Sequence, residues 1–215
     1  MKKVFLIPGL GADCRIYKHI DLSGYEVINI SWVEPEKQDT LSTYAQKLID
    51  KYLITPQSIV IGNSLGGMLA IEIAKKVQLE KTILISSIKS VSEAPWYFGF
   101  LRSTKLHHLI PVGKLTSMEF LIEYAFGGMS ENSQRLFADM LKNTSSTFVS
   151  WAIDAILNWH NQTVPENVYH ITGDKDKVFP YKRIKGATIV KGGTHVMIFN
   201  QAKEINMWLK EILQT

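Results

Sequence analysis

Short apolar runs alternate with stretches of helical periodicity along most of the chain. Runs of mainly apolar residues predict six strands, at about 3–7, 26–30, 58–62, 82–86, 167–172 and 187–190. Between the strands, apolar residues recur at helical spacing, most clearly from Leu41 to Tyr52. Strands that alternate with helices indicate a parallel sheet with helices on both faces. The pattern therefore predicts the α/β fold class.

The alternation breaks between residues 90 and 164. This segment separates the fourth predicted strand from the fifth, and apolar residues recur at helical intervals from Ser130 to Trp159. We interpret it as a mostly helical segment inserted within the domain. Near its start, Trp96, Phe98 and Phe100 could line an apolar substrate pocket. The alternative, which is the more common use of aromatic side chains, is that they pack the segment onto the sheet.

Composition narrows the class of protein. A length of 215 residues fits a single domain over 1–215, and 46% hydrophobic with 20% charged residues is typical of a globular protein with a sizeable core. The single cysteine, Cys14, excludes an intramolecular disulfide framework. A net charge of +4 without an aromatic-interleaved basic stripe argues against nucleic-acid binding. No run reaches the roughly 18 apolar residues of a membrane span.

The first residues could imitate a signal peptide, because a short basic start precedes an apolar stretch. That stretch, Val4 to Ile7, is followed at once by Pro8-Gly9 and is too short for the apolar core of a signal peptide. We therefore interpret it as a strand, and we expect the protein to be cytoplasmic.

The main chemical signal is the segment Gly62-Asn63-Ser64-Leu65-Gly66-Gly67, which follows an apolar run and precedes a helix-forming stretch. Between a strand and a helix, G-x-S-x-G holds a serine on a strained turn, with its hydroxyl exposed at the carboxyl edge of the sheet. Glycine is needed at positions 62 and 66, because a Cβ there would clash where strand and helix meet. The alternative role of Ser64 is an ordinary helix N-cap.

A serine nucleophile needs a histidine to take its proton and a carboxylate to orient that histidine. His195 lies on a loop after the last predicted strand, directly after Gly192-Gly193-Thr194. Two carboxylates, Asp174 and Asp176, lie on the loop after the fifth strand. The chain order serine, aspartate, histidine is one that hydrolases use. The residues alone leave open which aspartate pairs with the histidine.

The attack of a serine on a carbonyl also creates an oxyanion that needs hydrogen-bond donors. The turn Pro8-Gly9-Leu10-Gly11 ends the first predicted strand, which makes the backbone N–H of Leu10 one candidate donor. The N–H of Leu65, directly after the serine, is the second candidate. Together they form the predicted oxyanion hole.

On these residues the chain resembles the α/β-hydrolase superfamily over nearly its whole length, as a small serine esterase-like member. The acid loop of that superfamily commonly reads G-x-x-D-x-x-x-P, which matches Gly173, Asp176 and Pro180, so the resemblance implies Asp176 as the acid. It also implies a helical cap at 90–164 and a minimal, mainly parallel sheet of about six strands. The oxyanion turn of the family usually opens with His-Gly, whereas this chain has Pro8-Gly9.

The resemblance implies a serine hydrolase that cleaves a carboxylic ester or thioester of a small, fairly apolar substrate through an acyl-enzyme. We expect no cofactor and no metal, since the pair His107-His108 lacks a carboxylate or cysteine to complete a ligand set. One open alternative is carbon–carbon bond hydrolysis, lyase or acyltransferase chemistry with the same residues. The other is a non-catalytic ligand-binding module on this scaffold. Dehalogenases and epoxide hydrolases of the family are disfavoured, because they have an aspartate where Ser64 stands.

Overall fold

The computed structural model of the chain describes residues 1–106 and 129–214. The strands in this part are Lys3–Ile7 (β1), Glu26–Asn29 (β2), Ile59–Asn63 (β3), Lys81–Ile85 (β4), Val168–Gly173 (β5) and Thr188–Val190 (β6). They form one parallel sheet in the order β2-β1-β3-β4-β5-β6. The predicted parallel sheet of six strands is confirmed, and each strand end lies within one residue of its predicted position.

Helices cover both faces of this sheet. Their bounds are Leu41–Tyr52 (α1), Leu65–Ala74 (α2), Trp96–Thr104 (α3), Glu131–Lys142 (α4), Ser146–Leu157 (α5), Met197–Asn200 (α6) and Ala202–Gln214 (α7). Successive β1 side chains point to opposite faces, as the period of a strand requires. Phe5 and Ile7 enter the core shared with α1, α2 and α5. Val4 and Leu6 enter the core shared with α4, α6 and α7.

The helix α1 has the bounds that its periodicity predicts. A capping box begins this helix. The hydroxyl of Thr40 accepts the backbone N–H of Thr43 at 3.2 Å, and the hydroxyl of Thr43 accepts the backbone N–H of Thr40 at 2.9 Å. Its apolar face, with Tyr44 and Leu48 fully buried, packs against α2. α1 ends at Tyr52, because the next residue, Leu53, has a φ of 52° and leaves the helical conformation.

The helices α3, α4 and α5 lie within the segment 90–164, for which we predict a cap. Residues 107–128 of that segment lie outside the described residues. α5 packs on α1, since the ring centroids of Trp151 and Tyr44 are 4.4 Å apart. This helix therefore contributes to the same core as the sheet. The division of the chain into a single domain and a cap stays a prediction.

The strand β3 and the helix α2 come into direct backbone contact. A Cβ on Gly62 would lie 2.2 Å from the carbonyl oxygen of Gly66, and one on Gly66 would lie 2.2 Å from the carbonyl oxygen of Ile7. Both obstacles are backbone atoms, which cannot rotate out of the way as side chains do. The predicted need for glycine at these two positions is confirmed.

We expect Gly62→Ala to lower the free energy of unfolding by about 3 kcal/mol or more, because the new methyl group forces packed backbone apart. Gly99→Ala is the matched control, since a Cβ on Gly99 in α3 meets nothing within 4 Å. It should raise the free energy of unfolding by about 0.5–1 kcal/mol, the usual gain in a helix. Urea unfolding followed by circular dichroism measures both. Wild-type stability in Gly62→Ala would contradict the close contact.

The strand β5, which leads to the loop with the two aspartates, carries the buried side chain of His170. Burial, and to a smaller extent the positive charge of Lys89, lowers the pKa of His170 to about 3. A histidine in an unfolded chain has a pKa of about 6.5. When the pH lies between these two pKa values, His170 binds a proton in the unfolded chain but not in the folded chain.

Stability should consequently fall as the pH falls from about 6.5 toward 3, and it should be fully restored above pH 6.5. His170→Leu removes this proton uptake. The free energy of unfolding of the wild type relative to the variant should decrease by about 1 kcal/mol from pH 6 to pH 5. Urea titrations of both proteins at pH 7.5, 6 and 5 measure it. A difference that does not change with pH would contradict a neutral, buried His170.

Candidate active site

Ser64 lies at the junction of β3 and α2, in a strained backbone conformation. Its φ of 53° and ψ of −118° fall outside the regions that L-residues usually adopt. Although Ser64 precedes the first residue of α2, its side chain makes no capping hydrogen bond to the helix. Its Oγ lies instead 2.9 Å from Nε2 of His195. The geometry thus differs from the N-cap alternative, and the turn directs the hydroxyl toward the histidine.

His195 is buried on the loop after β6 and has a partner on each ring nitrogen. Nε2 faces the Ser64 hydroxyl, and Nδ1 lies 2.9 Å from Oδ2 of Asp176. A carboxylate can only accept a hydrogen bond, so the proton of a neutral imidazole belongs on Nδ1. Nε2 then has a lone pair available to accept the serine proton. The ring of Phe179 contacts the imidazole edge-on, with a centroid distance of 5.4 Å.

The two aspartates of the β5 loop have different partners. Oδ1 of Asp176 accepts the backbone N–H groups of Val178 and Phe179, each at 2.8 Å, which leaves Oδ2 for His195. Oδ1 of Asp174 accepts the backbone N–H of Gly192 at 2.7 Å. The structure therefore brings Asp176, and not Asp174, to the histidine. Asp174 ties its own loop to the loop that carries His195.

The loops of the acid and the histidine also touch through their backbones. A Cβ on Gly173 would lie 2.0 Å from the carbonyl oxygen of Gly193, so a side chain at Gly173 would push the loops apart. The N–H of Lys175 donates to the same carbonyl at 2.8 Å. The sequence marks both glycines, but its pattern does not indicate that they face each other.

The predicted oxyanion turn lies against Ser64. A Cβ on Gly9 would be 3.3 Å from Cβ of Ser64, so Leu10 directly follows a residue that lies against Ser64. Within residues 1–106 and 129–214, no hydrogen bond has the N–H of Leu10 or Leu65 as its donor. The structure thus brings the turn and the serine together. The function of the two amides as an oxyanion hole stays a prediction.

Three side chains that the sequence analysis did not single out hold this turn in place. The buried hydroxyl of Tyr17 donates to the carbonyl oxygen of Ile7 at 2.7 Å, and the indole N–H of Trp32 donates to that of Ala12 at 2.9 Å. On the outer side, Leu141 of α4 packs so closely that a Cβ on Gly11 would lie 2.7 Å from its Cδ1. No local pattern marks these residues, because each contact joins distant parts of the chain.

The three aromatic residues that we predict at a substrate pocket lie in different surroundings. Phe98 is half-buried, and its ring centroid is 6.1 Å from that of Phe179, the residue that contacts His195. The side chains of Trp96 and Phe100 are exposed. Trp96 and Phe98 line a cavity of about 200 Å³ whose lining includes neither Ser64 nor His195. A substrate-binding role of this group stays a prediction.

The described part of the chain has neither a metal-binding cluster nor a helix that could span a membrane. In residues 1–106 and 129–214, no three histidine, cysteine, aspartate or glutamate side chains are grouped so that they could hold a metal ion. The histidines at 107 and 108 lie outside the described residues. Among the helices of the described part, none combines the length and apolar character needed to cross a membrane.

Comparisons with known proteins agree with the observed fold. The sequence model of the alpha/beta hydrolase family matches residues 4–207. No curated protein matches the chain in sequence. A solved structure of a bromoperoxidase from Bacillus anthracis is similar, with a TM-score of 0.75 and 19% identity over 100% of this chain and 92% of its own.

Two further similar solved structures are those of an esterase and an enol-lactonase. The esterase EaEST from Exiguobacterium antarcticum has a TM-score of 0.73 and 18% identity, over 100% of this chain and 92% of its own. The enol-lactonase from Burkholderia xenovorans LB400 has a TM-score of 0.73 and 15% identity, with the same coverage of both chains. At these identities, the likeness shows a shared fold.

Proposed function

The chain belongs to the alpha/beta hydrolase family, and from this premise we propose that it is a serine hydrolase. The proposed reaction is cleavage of a carboxylic ester or thioester of a small, fairly apolar substrate. The observation that carries the proposal is the unbroken relay from Ser64 through His195 to Asp176, with 2.9 Å at each hydrogen bond. A single hydrogen bond of this kind would be common in a folded protein. Two such bonds in series, ending on a serine with a strained backbone, fit nucleophilic catalysis.

In the proposed acylation step, Oγ of Ser64 attacks the carbonyl carbon of the substrate while Nε2 of His195 takes the hydroxyl proton. The negative charge moves to the carbonyl oxygen, where the N–H groups of Leu10 and Leu65 receive it. Asp176 stabilises the imidazolium that forms and keeps its Nδ1 proton in place. When the tetrahedral intermediate collapses, His195 gives the proton to the leaving alcohol or thiol, and the acyl group stays on the serine.

In the deacylation step, His195 removes a proton from a water molecule, and the resulting hydroxide attacks the acyl-enzyme. Collapse of the second intermediate returns the proton to Ser64 and releases the acid. Each proton that leaves a nucleophile thus returns to a leaving group, so the residues of this chain complete the cycle without a cofactor. The names of the esterase and the enol-lactonase among the similar structures support ester chemistry.

The partner in this proposal is a small molecule, with no role for nucleic acid. The aromatic contact from Phe98 through Phe179 to His195 supports an apolar acyl or leaving group. We propose a cytoplasmic location.

A fluorophosphonate probe tests the activated serine directly. Intact-mass analysis should show one stoichiometric adduct on the wild type and none on Ser64→Ala or His195→Ala, because the first lacks the nucleophile and the second lacks its base. Circular dichroism of all three proteins is the control for folding. A folded wild type that forms no adduct would refute the activated serine and favour the ligand-binding module.

The identity of the acid is tested by a matched pair of variants on one loop. Asp176→Asn should lower kcat for a p-nitrophenyl ester by about 10⁴-fold, because an amide favours the wrong tautomer of His195. Asp174→Asn should keep most of the activity, since an asparagine oxygen can still accept the N–H of Gly192. Equal losses in both variants, or a larger loss in Asp174→Asn, would contradict the assignment of Asp176.

A further inference from the structure

Gly67 is the last glycine of the segment that carries Ser64, and the G-x-S-x-G spacing does not require it. A Cβ on Gly67 would lie 2.4 Å from Oγ and 2.5 Å from Cβ of Ser87. Ser87 follows β4, the strand next to β3, and is fully buried. The bare glycine therefore leaves room for one particular side chain, the hydroxyl of Ser87, at the start of α2.

The hydroxyl of Ser87 has a defined acceptor. It donates to the backbone carbonyl oxygen of Ser64 at 2.6 Å, whereas the other acceptor within reach, the carbonyl oxygen of Ile88, is 3.5 Å away. The same Ser64 oxygen accepts the N–H of Gly67 at 2.9 Å and that of Met68 at 3.4 Å. Three donors thus hold the carbonyl of the proposed nucleophile, and the Ser87 hydroxyl makes the shortest of the three hydrogen bonds.

The backbone before Ser87 is strained. Ser86 has a φ of 48°, an unfavourable value for a residue with a side chain. Its N–H is anchored to the carbonyl oxygen of Ile171 in β5 at 3.0 Å, and its own buried hydroxyl has no partner among the described residues. The hydroxyl of Ser86 therefore does not explain the strained conformation. The conformation does turn the chain so that the next hydroxyl, that of Ser87, reaches α2.

The carbonyl of Ser64 and the N–H of Leu65 belong to one planar peptide group. A hydrogen bond that holds the oxygen of this group fixes the direction in which its N–H points. It also polarises the group, because hydrogen bonds in a chain strengthen one another in a buried environment. The N–H of Leu65 is one of the two donors that we assign to the oxyanion.

We propose that Ser87 is a positioning residue for the reaction, whose hydroxyl orients and polarises the Ser64–Leu65 peptide so that its N–H meets the oxyanion. This inference rests on the proposed function. Ser87 touches neither the substrate nor the reacting atoms, and it acts through the peptide bond that it holds. Its effect is larger on the negatively charged intermediate than on the neutral ester, because a polarised N–H gains most where charge develops.

The kinetic test compares Ser87→Ala with the wild type on a p-nitrophenyl ester. We expect kcat to fall roughly tenfold with little change in KM, which is less than the hundredfold to thousandfold loss when an oxyanion donor itself is removed. The affinity for a boronic acid inhibitor, whose adduct with serine carries the negative charge, should fall by a similar factor. Thr82→Val is the matched control, because it removes a buried hydroxyl in β4 that, unlike that of Ser87, has no hydrogen-bond partner among the described residues.

A second measurement does not depend on turnover. In protein labelled with ¹⁵N-leucine, the amide proton of Leu65 should move upfield in Ser87→Ala, as expected for a less polarised peptide, and should stay in place in Thr82→Val. Thermal unfolding of each variant shows whether the fold is intact. If Ser87→Ala fails to fold, Ser87→Cys keeps a weaker donor at the same position, and it should move the Leu65 amide upfield and lower kcat by less than about tenfold.

The outcomes separate this inference from the proposed function. An active wild type with unchanged kcat and an unmoved Leu65 amide in folded Ser87→Ala would overturn the inference and leave the hydrolase assignment standing. A moved amide in a protein without any esterase activity would support the orientation of the peptide by Ser87 and refute the proposed function. Changes in kcat and KM equal to those in Thr82→Val would assign Ser87 a structural role and overturn the inference.

Discussion

The structure depends on one constraint, the direct contact of backbones at the carboxyl edge of the sheet. Gly62 lets α2 start against β3, and Gly66 lets it rest against the end of β1. On the far side of the sheet, Gly173 makes the corresponding contact with Gly193. Each contact removes the space that a pair of side chains would fill. Ser64, His195 and Asp176 are thereby brought to within hydrogen-bond distance of one another, and the turn after β1 lies against Ser64. A site of this kind tolerates displacements of only about half an ångström.

These contacts impose a conformational cost that the surrounding core offsets. Ser64 and Ser86 are both held at positive φ, at the ends of the neighbouring strands β3 and β4. Strain of this kind costs on the order of 1–3 kcal/mol per residue and persists where packing over-determines the backbone. Here that packing comes from the sheet and from α2, whose residues from Leu65 to Ile73 are all buried. The buried helix is therefore what keeps the serine in its strained turn.

The sequence determined most of the fold and part of the site. Strand positions and α1 followed from local periodicity, and Ser64, His195 and the two candidate aspartates followed from their places at strand ends. The residues could not separate Asp174 from Asp176, because both lie on one loop two positions apart. What distinguishes the two aspartates is the residue that each one contacts. Asp174 contacts Gly192 and Asp176 contacts His195, and both partners lie on another loop. Tyr17, Trp32 and Ser87 were missed for the same reason, because each acts on backbone far from it in sequence.

The position of the two proposed oxyanion donors shows why such remote contacts matter. Leu10 and Leu65 belong to different elements, the turn after β1 and the start of α2. The distance between their N–H groups is thus set by the contact of Gly66 with Ile7 and Pro8, and not by any local motif. Hydrogen bonds from remote side chains restrict this backbone further. Tyr17 holds the carbonyl of Ile7 at the end of β1, and Ser87 holds the carbonyl of the peptide group that carries the N–H of Leu65. A serine motif can therefore be read in the sequence, whereas the hole that would make the serine effective is assembled by residues that only the fold brings together.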